Sequence, residues 1–337
     1  MQEVAVRVVS RAAFFYKIPV IEKVYYILKK AAVLITTLFL ISVLTFTAFR
    51  IVPGDPALLI LGTEASSEQI EQMHHELGMD KPLVRQYMTW ISAMLRGDWG
   101  TSLRYNKPVK ELMHGRLSVT LVMGGMALLL IIAAGIPLGV FAASKKDSWL
   151  NPLLNALTML SISIPEFFLS IVVIWIFGLQ LHVFAPGRYV SWQADAGGFL
   201  RFMIFPVCTI ALPQTAILMK YVRATVIAEE DKDYVRTALS KGCRPQRVLS
   251  VHVLRNAAVA VLPLIGMMAG NVFTGSIIVE QVYGIPGIGR LLISAVTSRD
   301  FPLTQALVLY IAVIIVAVDF LVDVVAQLVD PRIRFGT

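Results

Sequence analysis

The stretch AAVLITTLFLISVLTFTAF, residues 31–49, contains no charged side chain, and its reading decides the class of molecule. A bilayer core is about 30 Å thick, which an α-helix crosses with about 20 mostly apolar residues. Thirty residues precede the stretch and no A-x-A cleavage pattern follows it. It is therefore expected to be a retained first span and not a secretion signal. Five more stretches meet the same criterion: 117–143, 152–182, 202–222, 257–279 and 303–327. Of the 337 residues, 57% are apolar and 15% charged, with mean hydropathy +0.72. A soluble domain carries about 25% charged residues. A water-soluble globule, a disordered chain and a collagen-like repeat are thus excluded. The two cysteines, Cys208 and Cys243, cannot staple a chain of this size.

Six spans place both termini on one side, and the distribution of basic residues says which. Segments 1–30, 144–150, 223–256 and 328–337 hold 17 Lys/Arg against 8 Asp/Glu, whereas 50–116, 183–201 and 280–302 hold 12 against 11. The positive-inside rule makes the first set cytoplasmic. That arrangement accounts for the net charge of +8 without nucleic acid as a partner. The division expected is a cytoplasmic or interfacial segment 1–30, the span 31–49, an extracytoplasmic helical cap 50–116, a five-span core 117–327 and a cytoplasmic tail 328–337. Phe14, Phe15, Tyr16 and Lys17 suit a lipid-facing interfacial helix.

Prolines at 137, 165, 206, 213 and 263 interrupt the spans. They favour a bundle that bends, because freed backbone groups need neighbouring helices to satisfy them. Gly135 and Gly139, and again Gly266 and Gly270, lie one helical turn apart and allow close approach of another backbone. In the cap, Ser66 and Gln69 have capping-box spacing, Gly78 suits a helix C-terminus, and a second helix is expected with Asp80 as its cap and Pro82 near its first turn. Leu83, Tyr87, Trp90 and Met94 form its apolar face. His74-His75-Glu76 lacks the H-E-x-x-H order, and adjacent histidines diverge by about 100° on a helix, so solvated side chains are expected there and no metal site.

No G-x-x-x-x-G-K-[ST] or G-x-S-x-G motif occurs, and the glycine-rich run from Gly284 to Arg290 lacks the Lys-Ser/Thr of a phosphate loop. No catalytic residues and no bound cofactor are expected. Asp319 and Asp323 are i,i+4 on one helix and approach the cytoplasmic interface, where solvation or pairing with basic residues would hold them. Glu166 follows Pro165 and is placed to face the bundle interior or a neighbouring subunit. Pro165, Glu166, Gly266, Met267, Gly270, Asn271 and Phe273, with Met268, are the candidate path or gate residues.

The most informative polar stretch is 223–256, between the fourth and fifth spans. Asp233-Tyr234-Val235-Arg236-Thr237-Ala238-Leu239-Ser240-Lys241-Gly242 reads as a short amphipathic helix with Val235, Ala238 and Leu239 on one face, ended by Gly242 and Pro245. Such a helix, with few bulky side chains, suits docking into a groove of another protein.

This loop resembles the EAA loop of ABC-importer permeases, closest in wording to the oligopeptide/dipeptide/nickel family, in which D-Y-V-R-T-A-x-x-K-G runs into R-x-A-L-R-N-A. Arg236-Thr237-Ala238 stands where E-A-A would, and His252-Val253 also departs from the usual form. Further matches run in order along the chain: Pro53-Gly54-Asp55-Pro56, Arg96-Gly97-Asp98-Trp99-Gly100, Ser163-Ile164-Pro165, Tyr283-Gly284-Ile285-Pro286-Gly287, Arg299-Asp300-Phe301-Pro302 and Asp330-Pro331-Arg332. The resemblance covers about residues 25–335. It implies an all-α, six-transmembrane-helix permease subunit of a bacterial plasma-membrane importer, forming half of a path for peptides, with nickel or other metal chelates as the alternative cargo. It further implies a homologous second permease, two ATPase subunits that use the ATP, and an extracytoplasmic solute-binding protein. Asp233, Tyr234, Arg236, Thr237, Ala238, Lys241 and Gly242 would then form the ATPase-coupling helix.

Overall fold

The computed structural model describes residues 20–51, 56–62, 65–76 and 78–329; among these are helices, one isolated bridge (Thr101–Pro108) and no strand. Residues 1–19, 52–55, 63–64, 77 and those from Asp330 on, and the Asp323 side chain, lie outside the described set. Helix α1 is Val20–Ile51, followed by α2 (Pro56–Leu61), α3 (Ser67–Glu76), α4 (Leu83–Leu95) and α5 (Val109–Met113). Then come α6 (Arg116–Ser144), α7 (Leu150–Ser163), α8 (Glu166–Val173) with a π-helical extension Ile174–Gln180, and α9 (Ala196–Glu230). The short α10 (Asp233–Ser240) is followed by a turn Pro245–Arg247 and a π-helical stretch Val248–Val253 that enters α11 (Leu254–Tyr283). Helices α12 (Ile288–Thr297) and α13 (Phe301–Val329) complete the chain.

Among the described residues, five stretches are long and apolar enough to cross a membrane: Ile27–Ile51, Val109–Ser144, Ala196–Glu230, Pro245–Tyr283 and Phe301–Val322. The sixth expected span, 152–182, is not continuous. Its halves, α7 and α8 with the π-helical extension, meet at 97°. The cause is local: Pro165 lacks an N–H and drives Ile164 to an extended ψ of 118°. Pro137, Pro206, Pro213 and Pro263, by contrast, sit inside helices that carry on through them.

The main core joins α6, α9 and α11 around Met123, Ile131, Met203, Ile210, Leu218, Met268 and Val272. Glycine lets α6 and α9 touch: a Cβ on Gly135 would lie 2.8 Å from Leu218 Cδ2, and one on Gly139 only 2.9 Å from the Met219 carbonyl. Gly139→Ala is expected to cost about 1–3 kcal/mol, since overpacking against backbone has nowhere to relax. Gly125→Ala on the same helix, where a Cβ meets nothing within 4 Å, should leave the melting temperature in detergent unchanged. Equal melting of the two variants would discount the close approach.

A second core lies at the end of the bundle opposite α10, where Met94, Val109 and Met113 meet Ile288, Leu291, Leu303 and Leu307. The Ser66–Gln69 capping box forms in both directions, Ser66 N–H donating to Gln69 Oε1 at 2.9 Å and Gln69 N–H to Ser66 Oγ at 3.3 Å. Gly78 takes the left-handed φ of 64° expected of it. Asp80 does not cap α4. The cap position falls to Pro82 with no side-chain bond, and Gln86 Nε2 reaches back to the Met79 and Lys81 carbonyls instead. Leu83 is exposed, while Tyr87 and Trp90 stack beside Phe46 on the flank of α1 and Tyr87 OH bonds Ser42 Oγ at 2.7 Å. Buried Asp300 ties this end together: it takes the Ser102 hydroxyl and the Leu103 and Arg104 N–H groups while capping α13 through Leu303 N–H.

Candidate functional site

Helix α10 has the geometry that a docking element needs. Asp233 opens it, where a carboxylate complements the positive helix end. Its C-terminus is a Schellman turn: Gly242, at φ 81°, donates to the Leu239 carbonyl at 2.9 Å, and Cys243 N–H donates to Ala238 at 3.2 Å. Val235 is buried with Val248, Val253 and Ala257 at the foot of α11, and Tyr234, Ala238 and Cys243 pack against the same cluster. The expected single apolar face is therefore divided. Val235 and Ala238 turn inward, whereas Leu239 is 43% exposed beside exposed Asp233, Arg236, Thr237 and Lys241. The outward surface is thus mostly polar, because the foot of α11 already claims the small apolar residues.

Tyr234 OH donates to Glu229 Oε2 at 2.8 Å, and Lys232 donates to the other oxygen, a bond that holds the Lys232 ammonium above its ordinary range. Arg223 bonds Asn151 Oδ1 at 2.8 Å, tying α9 to the start of α7. Helix α10 is thus fastened to α9, and α9 to α7, before it meets any partner.

The candidate path residues separate into two groups. Gly266, Met267, Gly270 and Asn271 line one open cleft of about 460 Å³ with Pro263, Thr274, Ile315, Asp319 and Val322. Along α11, Met267, Asn271, Thr274 and Ile278 form an uncovered stripe at i, i+4, i+7 and i+11. Phe273 and Met268 do not belong to it. Met268 is 1% exposed, and Phe273 packs on Gly124 and lines a separate pocket with Leu117, Thr120 and Ile288. Thr274 went unrecognised, although a polar residue three after Asn271 in an apolar span is a readable signal.

Asp319 stands level with Gly270, whose Cβ position is 3.5 Å from Asp319 Oδ1. That height is mid-helix on α11 and not its α10 end, since α11 starts sixteen residues earlier at Leu254. Gly266 serves packing instead: a Cβ there would collide with Val322 Cγ1. On the far flank of the stripe, the Glu166 carboxylate lies directly against Gly275, with the buried Gln214 amide beside it. Pro165 places it there by starting α8 anew.

The glycine-rich run from Gly284 to Arg290 holds a group that sequence reasoning passed over. Glu280 is fully buried, takes Thr120 Oγ1 at 2.5 Å and accepts Arg290 N–H at 3.1 Å. Thr120 Oγ1 in turn accepts Ile288 N–H at 3.0 Å. A Cβ on Gly287 would strike that carboxylate and one on Gly289 would strike the Ile277 backbone, so both glycines are needed for the run to close over Glu280. The run is an anion nest, filled by the chain's own side chain.

Residues 135–335 match the family described as binding-protein-dependent transport system inner membrane component, and residues 23–124 match its separate N-terminal family. A Brucella abortus (strain 2308) chain named as a peptide transport system permease protein is 37% identical over 309 residues, 92% of this chain and 98% of that one. The glutathione transport system permease protein GsiC of Escherichia coli (strain K12) is 34% identical over 310 residues, 92% and 99% of the two chains. The dipeptide transport system permease protein DppB of Lactococcus lactis subsp. cremoris (strain MG1363) is 33% identical over 312 residues, again 92% and 99%. With matches across both halves and nearly the full length of each relative, the chain belongs to the binding-protein-dependent transport system inner membrane components of ABC importers.

Proposed function

We propose that this multi-pass inner-membrane subunit forms half of the path by which an ATP-driven importer takes up peptides, with α10 receiving the movement of the ATPases and the stripe on α11 lining the path. One observation carries the reading. Val235 of α10 is buried together with Val248, Val253 and Ala257 at the foot of the helix that bears the uncovered Met267–Asn271–Thr274 stripe. A push on α10 is thereby delivered to α11. An uncovered polar stripe in mid-membrane is costly against lipid and suits a water-filled path.

Relatives named for peptides, dipeptides and glutathione support the peptide class, and they lend nothing to a nickel or metal-chelate cargo. The ATP is used by partner ATPase subunits, and a solute-binding protein delivers the cargo. The second half of the path would be a homologous permease, with lipid around both. The basic excess of 223–256 and its companion segments supports a cytoplasmic position for α10 and both termini. The test is reconstitution. The purified chain alone should not hydrolyse ATP, whereas vesicles holding it with its partner subunits should take up peptide only with ATP and binding protein present. Proton- or sodium-driven uptake by the chain alone would overturn the proposal.

A further inference from the structure

The cleft on α11 has a chemical bias. Its lining comprises one carboxylate, Asp319, two neutral polar side chains, Asn271 and Thr274, and otherwise apolar residues, with no lysine or arginine. The Asn271 and Thr274 side chains are exposed on the open stripe, and Asp319 is exposed opposite Gly270, where the absence of a side chain leaves its Oδ1 access to the cleft. A second carboxylate, Glu166, closes the other flank at Gly275. Two acidic groups thus bracket the part of the stripe that carries Asn271 and Thr274.

Carboxylates held at this depth are expensive unless a cation or a hydrogen-bond donor meets them. The amide oxygen of Asn271 and the hydroxyl of Thr274 can accept hydrogen bonds from such a donor, so the whole lining favours positive charge. We propose that Asp319, Asn271 and Thr274 form a cation subsite in the path, which takes the ammonium groups of passing peptides, lysine side chains included. This rests on the reading that the stripe on α11 lines the path. Asp319 has a partner of its own. A carboxylate offers about four acceptor positions, so it can keep that partner and receive the ammonium as well. The permease would then add a charge preference of its own to whatever selection delivery imposes.

The experiment uses the complete reconstituted importer and two cargo peptides, Ala-Lys-Ala and its Nε-acetyl-lysine counterpart, which differ by one positive charge. Asp319→Asn should lower the ratio of their uptake rates by about tenfold, the scale of one charge-assisted hydrogen bond. Asp319→Glu should keep most of the preference. Thr274→Lys, at an exposed position that tolerates a longer side chain, should lower the same ratio independently, so the proposal does not hang on how well one variant folds. An unchanged ratio in Asp319→Asn and Thr274→Lys, with uptake of the acetylated peptide intact, would overturn the subsite. The reading beneath it has a separate readout. Asn271→Cys, in a Cys208→Ser, Cys243→Ser background, should react with an aqueous thiol reagent in the assembled importer. Reaction with no change of ratio removes only the cation subsite, whereas no reaction in any nucleotide state removes the path reading together with it.

Discussion

Gly242→Val is expected to reach the membrane in normal amount and to lose roughly tenfold or more in ATP-driven uptake, since 1–2 kcal/mol of misfit at one residue corresponds to about that factor. The space around Gly242 is not the difficulty, because a Cβ there would meet nothing within 4 Å. The backbone is. At φ 81° a β-branched residue is strained, and relaxing it would undo the two bonds that close α10 on the Ala238 and Leu239 carbonyls. Asparagine tolerates the left-handed conformation, so Gly242→Asn should retain most uptake. Gly242→Asp has nearly the same shape as asparagine with a charge added, and its failure alongside a working Gly242→Asn would locate a partner surface here. Rates of uptake and of binding-protein-stimulated ATP hydrolysis, measured at matched expression, make the comparison. Normal uptake by Gly242→Val would remove α10 from the coupling route.

Glu280→Ala is expected to be the most destabilising single change at the opposite end of the bundle, by about 3–6 kcal/mol. At least two donors, the Thr120 hydroxyl and the Arg290 N–H, would lose a charged acceptor, and each such bond is worth about 1.5–3 kcal/mol. The Thr120 hydroxyl would be left in a buried space and the Arg290 N–H in a partly buried one. Glu280→Gln should recover part of the loss, because its amide oxygen accepts from one side while its NH2 group faces donors on the other. Thr120→Val combined with Glu280→Ala should cost less than the two changes summed, as expected for members of one network. Denaturant titration in detergent measures all four proteins. Wild-type stability in Glu280→Ala would show that the carboxylate is dispensable to the fold.

Much of this architecture is legible in composition and spacing. Five of the six apolar stretches, the Ser66–Gln69 capping box and the Gly242 helix end depend on chemistry within a few residues of each position and appear where the local rules put them, whereas 152–182 breaks at Pro165. Asp80 fails as a cap because α4 begins at Leu83, which leaves Pro82 at the cap position and Asp80 two residues short of it. Leu239 parts from Val235 and Ala238 because the foot of α11, some twenty residues on, decides which side of α10 is inward. Phe273 and Met268 could not be told from Met267 and Asn271 by periodicity, since a mostly apolar helix buried on several sides has no single face to read. Glu280 was hidden for another reason. A carboxylate at a helix end, just before a glycine-rich turn, looks solvent-bound until Thr120, 160 residues earlier, is seen to hold it.

That separation has a further consequence, for the order in which the molecule comes together on the ribosome. The bonds that fasten α10 span 5 residues from Glu229 to Tyr234, and those that fasten α9 to the start of α7 span 72 residues from Asn151 to Arg223. The ties at the other end run 160 residues from Thr120 to Glu280 and 198 from Ser102 to Asp300. At a synthesis rate of about 5–20 residues per second, Thr120 waits roughly 8–32 s for its carboxylate. Throughout that interval the Thr120 hydroxyl has only the Arg116 carbonyl of its own helix to bond, and the loop around Ser102 waits longer still. The nascent protein completes its α10 end first and closes the far end only when its last helices arrive.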